Sequence, residues 1–375
     1  MPMNRRQFTQ SLGAALGAGA ALAPRLHAAP PAPPAPAVEA RPILLDNNEN
    51  PYGPSPAARA AITASEAIAC RYADFTEPRM IERLAAFYQL PHNQIMLGCG
   101  STEVLCCADR AFLAGGKSAI ASRPTFEVVL TLAQAMQADP VTVPETADFR
   151  HDLPAMAAAV NANTGLVYVC NPNNPTGTIV SLAELRAFLD RVPARVPVLV
   201  DEAYYDFVDD PAYGTVAPWL SRYPNLIVAR TFSKVYGMAG LRLGYALGSP
   251  GMIAALRRHK LPMNANQAAL AAALACFNDR AHIADQRRRM FAARNWLYAE
   301  LRKDGRRYIP SQGNFVMIDL ATDVEPVVAA FRRRNILVGR KFPAMGTWLR
   351  ITIGTPAEMR AFMAGLRAIV PARAA

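Results

Sequence analysis

The sequence offers nothing from which to build a disulfide framework or a metal centre. Its six cysteines, Cys70, Cys99, Cys106, Cys107, Cys170 and Cys276, include no C-x-x-C pair and no regular spacing. Most sit in apolar context and read as small core residues. The five histidines are scattered without ligand spacing, so no metal is expected. Beyond the first few dozen residues, no uncharged apolar run approaches the ~20 residues that a membrane helix needs. Acidic residues are scarce, 29 against 40 Lys and Arg, for a net charge of +11. No aromatic-interleaved basic motif accompanies that excess, which is spread over stretches such as Arg287–Arg289 and Arg332–Arg334. Solvated helix faces are therefore expected, and no nucleic-acid partner. No internal repeat is present.

What remains is a globular composition, 52% apolar and 18% charged over 375 residues, long enough for two domains. The N-terminus carries a twin arginine, Arg5-Arg6, followed by the short, small-residue stretch "TQSLGAALGAGAALAP" and by "LHAAP", which offers cleavage near Ala28 or Ala29. Residues 1–29 read as a twin-arginine signal peptide, and residues 30–42 as a Pro/Ala-rich tether. This predicts a folded protein handed to the twin-arginine export machinery and placed in the periplasm, with no stable membrane insertion. Folded structure is expected from Ile43.

From about Ile95 to Leu247, short apolar runs alternate with helical patterns. "QIMLG", "SAIAS", "PVTV", "GLVYVC", "VPVLVD", "NLIVAR" and "LGYALG" read as strands. "STEVLCCADRAFLA", "TFEVVLTLAQAMQ", "LPAMAAAV" and "LAELRAFLDRV" read as helices. Such alternation predicts the α/β class, with a mostly parallel, mixed sheet of seven-stranded type covered by helices on both faces. After Pro250 a helix-rich stretch to Lys303, interrupted at "LPMNANQ", leads into a smaller α+β part. The expected organisation is an N-terminal arm with part of the small domain at 43–70, a large domain at 71–262 and a small C-terminal domain at 263–375.

Four stretches carry chemistry. "VPVLVDEAYYDF" ends a buried-looking strand in Asp201, where a carboxylate faces the ligand crevice of an open α/β sheet. Asp201, Glu202 and Tyr204 come together there, company that a simple helix cap does not need. Asp201 suits a protonated ring nitrogen. "CNPNNPTGT" follows a strand as a rigid turn and presents the Asn174 amide to a ligand oxygen. "GCGSTEVL" puts Gly100, Ser101 and Thr102 at a strand-to-helix turn, where free N–H groups and the helix dipole attract an anion. "RTFSKVYGMAGLRLGY" adds the Thr231 and Ser233 hydroxyls and the Arg242 guanidinium, completing a phosphate cup. Within it, Lys234 lies close to cationic Arg242 and is expected to be partly desolvated, both of which lower its pKa and free the amine as a nucleophile toward an aldehyde. Phosphate cup, ring-nitrogen carboxylate and Schiff-base lysine match the three attachment points of pyridoxal 5′-phosphate, and Phe126 in "PTF" offers its ring an aromatic face.

These stretches, with "LDNNENPYGPSP", "KLPMNAN" and "LRITIG", resemble the class I/II aminotransferases of the aspartate-aminotransferase fold (fold type I). Their order and spacing resemble most the histidinol-phosphate aminotransferase branch, from about Ile43 to the C-terminus. The resemblance implies pyridoxal phosphate on Lys234, which also shuttles the substrate proton. It implies Asp201 on the pyridine nitrogen and Asn174 and Tyr204 on the ring's 3-oxygen. The phosphate then falls to Ser101, Thr102, Ser233 and Arg242, with Thr231 assisting. Tyr72 in "CRYADFTEP" reaches the phosphate of a neighbouring subunit, which implies a homodimer. Arg350 in "WLRITIG", with Arg340, holds the substrate's anionic group, and Tyr52 and Asn314 line the substrate pocket. The implied reaction moves an amino group from an amino acid or a histidinol phosphate-like amine to a 2-oxo acid such as 2-oxoglutarate. Decarboxylation or C–S elimination on the same scaffold is the alternative. The chain departs from the family at Phe126, where tyrosine is frequent, at Met263 in "PMN", and in the bulky segment "GRKFPAMGTWLRI".

Overall fold

A computed structural model describes residues 41–371. The twin-arginine segment and all but the last two residues of the Pro/Ala tether lie outside the described residues. The described chain opens with β1 (Ile43–Leu45), α1 (Pro56–Ser65) and α2 (Thr76–Tyr88). Strands and helices then alternate: β2 (Ile95–Gly98), α3 (Ser101–Phe112), β3 (Ser118–Arg123), α4 (Val128–Ala135), β4 (Val141–Pro144), α5 (Leu153–Ala158). The alternation continues with β5 (Thr164–Cys170), α6 (Leu182–Leu189), β6 (Val198–Asp201), β7 (Leu226–Thr231) and β8 (Gly244–Gly248). Three helices follow, α7 (Pro250–Arg257), α8 (Gln267–Cys276) and α9 (Arg280–Lys303). The chain ends with β9 (Tyr308–Ile309), β10 (Phe315–Asp319), α10 (Val324–Arg332), β11 (Ile336–Val338), β12 (Trp348–Thr352) and α11 (Pro356–Ile369).

Seven strands form one sheet in the order β2-β8-β7-β6-β5-β3-β4. The pairs from β4 through to β7 are parallel, and β8 runs antiparallel to both of its neighbours. This is the mixed, mostly parallel sheet that the alternating pattern predicts. β5, β6 and β7 are buried at every position, which is why they read as continuous apolar runs rather than alternating ones. Successive side chains still point to opposite faces. Tyr168, Cys170, Leu199 and Ala229 pack under α3, α4 and α7. Val167, Val169, Val198, Val200 and Val228 face the larger core on the other side. The strand order reverses between β3 and β5, the position at which an open α/β sheet leaves a crevice beyond its carboxyl ends.

A three-stranded antiparallel sheet, β12-β10-β9, carries the C-terminal part. Phe331 of α10 stacks on Phe362 of α11 at 5.3 Å. β1 pairs in parallel with β11, Ile43 opposite Ile336, so the first strand is tied to the far end of the chain. All six cysteines are free; Cys107, Cys170 and Cys276 are buried, but Cys70 and Cys99 are exposed and Cys106 lies between. Only half of them are core residues, because Cys70 and Cys99 fall in connections rather than in elements.

Candidate active site

A cavity of about 450 Å³ opens at the carboxyl ends of the parallel strands. Gly100 caps α3 with φ +75°. A Cβ there would stand 2.3 Å from Arg242 Nη2, so only glycine lets the guanidinium sit over the helix N-terminus. Arg242 itself takes a left-handed φ of +60° and donates from Nη1 to the Ala239 carbonyl at 3.0 Å and to Ser233 Oγ at 3.4 Å. Thr231 Oγ1 donates to Ser233 Oγ at 2.9 Å. The acid in the first turn of α3, Glu103, is turned away from this cup: it accepts from the Cys99 N–H and from Asn264 Nδ2, each at 2.6 Å. Ser101, Thr102, Ser233 and Arg242 thus line the cavity as an anion cradle.

Asp201 ends β6 and is buried. Tyr168 Oη donates to its Oδ2 at 3.0 Å, and the Ala203 N–H to its Oδ1 at 3.1 Å. Burial pushes the carboxyl up to about 6, against these two donors and Lys234, which favour the anion. A carboxylate in this state favours a cationic N–H partner. The turn after β5 is braced to the one after β3. Thr125 Oγ1 donates to Asn173 Oδ1 at 2.8 Å, and Asn173 Nδ2 donates back to the Pro124 carbonyl at 3.1 Å. That brace fixes Phe126 and Asn174, both of which line the cavity.

Lys234 stands half-buried just beyond β7. Its Nζ donates to the carbonyls of Asn47 and Asn48, at 3.3 and 3.2 Å. Burial lowers its pKa to about 8, and Arg350 is the next cause; Glu49 and Asp201 oppose the shift, and Arg242 contributes least. The sequence reading assigned this effect to partial desolvation and to Arg242; burial is indeed the first cause, but Arg242 is the weakest. The fold instead brings Arg350 across from β12, a cation that chain proximity does not reveal. Tyr204 is buried with its ring edge on Phe315 at 5.0 Å, and its Oη accepts from Asn48 Nδ2 at 3.0 Å.

The far end of the cavity is cationic. Arg350 donates from Nη1 to Asn174 Oδ1 at 2.7 Å and from Nη2 to the Asp46 carbonyl, while its buried Nε has no partner among the described residues. Arg340 lies over the Phe342 ring at 4.4 Å and is ion-paired to Glu127.

Tyr52 and Asn314 do not line this cavity. They border a small adjoining one with Gln286 and Met290. Asn314 Nδ2 is spent on the carbonyls of Asn48 and Glu49, at 3.0 and 3.2 Å, so it holds the 46–50 loop instead of facing the cavity. Tyr72 is 69% exposed and outside the cavity of its own chain. Sequence reasoning missed Asn47 and Asn48, which act mainly through backbone carbonyls; the one signal available was an Asn-rich run ahead of a proline. A larger cavity, about 1140 Å³, does not include Lys234, Asp201 or Arg242. It is lined by Glu202 and Arg230, on the opposite face of the sheet from Asp201.

Residues 40–366 match the family model described as aminotransferase class I and II. The chain is 40% identical over 328 residues to a histidinol-phosphate aminotransferase of Symbiobacterium thermophilum, covering 87% of this chain and 90% of that one. It is likewise 40% identical over 329 residues to histidinol-phosphate aminotransferase 2 of Pseudomonas fluorescens, covering 88% and 89%. Among solved structures, the histidinol-phosphate aminotransferase of Sinorhizobium meliloti in complex with pyridoxal 5′-phosphate superposes with a TM-score of 0.83. That match is 27% identical and covers 88% of this chain and 91% of the other.

Proposed function

The chain belongs to the class I and II aminotransferase family, and from that premise we propose that its amine donor is histidinol phosphate or a close relative and its acceptor 2-oxoglutarate. It is a pyridoxal 5′-phosphate-dependent aminotransferase. The residues present fit that cofactor. The cradle, in which the missing Cβ of Gly100 lets the Arg242 guanidinium sit over the N-terminus of α3, suits a phosphate. Asp201, carrying only two donors, has lone pairs left for a ring N–H. Phe126 supplies an aromatic face. When bound, the cofactor supplies an electron-withdrawing ring that acidifies the substrate Cα–H.

The chain's own residues do the rest. Asp201 keeps a ring nitrogen protonated. Asn174 and Tyr204 hold the ring edge. Lys234 takes the proton from the substrate Cα and would return it two atoms along, at the carbon beyond the bridging nitrogen. At pH 7 a lysine at about 8 is about one-tenth free amine, where an ordinary lysine is free to only about one part in several thousand. Arg350 and Arg340 take the substrate's anionic end.

The observation that carries this reading is the gathering of Lys234, Asp201, the anion cradle and two further arginines around one cavity. The test is a single-turnover half-reaction. The cofactor-loaded protein is mixed with histidinol phosphate, aromatic amino acids, glutamate and aspartate in turn, with no oxo acid present. A rapid spectral change with histidinol phosphate supports the donor assignment. A change with the amino acids alone replaces it with an amino-acid donor.

We also propose a homodimer. Tyr72, Phe75, Leu261 and Met263 are exposed, at 69%, 89%, 61% and 67%. Gln267 Nε2 donates to the Tyr72 carbonyl at 3.0 Å and ties the two segments together. Exposed large apolar side chains at 72–75 and 261–263 support a surface that a second copy covers. Sedimentation equilibrium is expected to give the mass of two chains; a monomer at micromolar concentration would remove the proposal.

A further inference from the structure

The anion-binding end of the cavity is crossed by an ion pair between Arg340, which follows β11, and Glu127, just before α4. The two residues lie 213 positions apart and come from different sheets. Arg340 is held from its other side, stacked on Phe342 at 4.4 Å and donating from Nη1 to the Lys341 carbonyl at 3.0 Å. Glu127 is held by nothing else: Oε2 accepts from Arg340, and Oε1 makes no hydrogen bond among the described residues. Both side chains remain partly open, 56% and 35% exposed, and both line the cavity. The other acids on the cavity wall are engaged elsewhere. Asp201 is bound to Tyr168 and Ala203, and Glu49, which makes no side-chain hydrogen bond among the described residues, lies on the Lys234 side of the cavity, where its charge favours the lysine cation.

An anion arriving at Arg340 must compete with Glu127. Once displaced, Glu127 loses its only side-chain partner among the described residues and is left to water or to a donor on the ligand. A substrate that brings an anion alone leaves it to water. A substrate that brings an anion and a ring N–H satisfies both members of the pair. We propose that Glu127 is a specificity-determining residue of the reaction, accepting a hydrogen bond from an N–H-bearing heterocycle on the substrate once the substrate's anion has taken Arg340. The inference rests on the amino-phosphate substrate reading above and adds the part of the substrate that this reading left unrecognised.

The test measures binding to the holoenzyme with two phosphate monoesters that lack the reacting amine: imidazolylpropyl phosphate and pentyl phosphate. Calorimetry gives both dissociation constants for the wild type and for Glu127→Gln. The wild type is expected to prefer the imidazole compound by at least about tenfold, the discrimination that one charge-assisted hydrogen bond provides. Glu127→Gln is expected to lower that preference about tenfold, through weaker binding of the imidazole compound, with pentyl phosphate held equally well or better. An unchanged preference, or equal weakening of both compounds, overturns the role of Glu127 and leaves the substrate reading in place. A wild type that binds neither phosphate removes the substrate reading, and the inference with it.

Discussion

Lys234→Ala is expected to lower turnover by at least about a thousandfold, because it removes both the nucleophile and the proton carrier. No other lysine lines the cavity, so none stands in for it. The cradle of Ser101, Thr102, Ser233 and Arg242 is untouched, so the variant should still hold pyridoxal phosphate, without a covalent bond. Turnover within tenfold of wild type would end the assignment of Lys234. The same lysine has a pH signature. Its pKa is lowered to about 8, by burial first and Arg350 second. In cofactor-free protein its acylation rate, followed by mass spectrometry, should climb about tenfold per pH unit below 8 and level off above it. An ordinary lysine keeps climbing to about 10.4. Because Arg350 disfavours a second positive charge, Arg350→Met should move the inflection upward. An inflection already at the ordinary value in the wild type would show that the amine is not activated in this way.

The second large effect is on stability. Glu202→Ala should destabilise the fold by about 3–5 kcal/mol, the cost of leaving one member of a buried ion pair uncompensated. The Glu202 and Arg230 side chains are 1% and 10% exposed. Glu202 Oε2 accepts from Arg230 Nε and Nη2 at 2.9 and 2.7 Å and from Thr215 Oγ1 at 2.8 Å. Its Oε1 accepts from the Val216 N–H at 2.8 Å. Removing the carboxylate leaves the guanidinium between the Tyr205 and Tyr88 rings, at 3.7 and 5.9 Å, with no hydrogen-bonding acid among the described residues. Glu202→Ala/Arg230→Met should recover most of the loss, since it removes the charge together with its partner. Urea unfolding midpoints decide the matter. A loss under about 1 kcal/mol would mean that water reaches the pair.

Glu202 also marks where sequence reading stops. Asp201, Glu202 and Tyr204 look like one constellation, yet strand alternation sends Glu202 through to the opposite face, where it pairs with Arg230 and holds the Thr215–Val216 turn. Six of the seven strands of the large sheet were legible because burial on both faces writes them as apolar runs; β4, buried only at Val143, was legible from its β-branched residues. α1 and α2 were not. α1, "PAARAAITAS", is Ala-rich with few large side chains to set a period, and α2 begins without a side-chain cap. β9 is only two residues long, too short to leave a pattern. In the site, Lys234, Asp201, Asn174 and the cradle were legible because their chemistry demands particular side chains after particular strands. Groups that act through main-chain carbonyls, as Asn47 and Asn48 do, leave no such demand. Long-range cations such as Arg350 beside Lys234 are invisible to local spacing, as is the Glu127–Arg340 pair.

The 46–50 loop has one more consequence, for the order of assembly. The Asn48 N–H donates to the Thr352 hydroxyl, 304 residues away, and Arg350 donates to the Asp46 carbonyl. β1 likewise waits for β11. During synthesis the large sheet can close once β8 has emerged, and the phosphate cradle with it. The lysine's carbonyl partners cannot be fixed until nearly the whole chain has left the ribosome. A chain cut short before β12 would lack Arg350, and with it the second cause that lowers the Lys234 pKa.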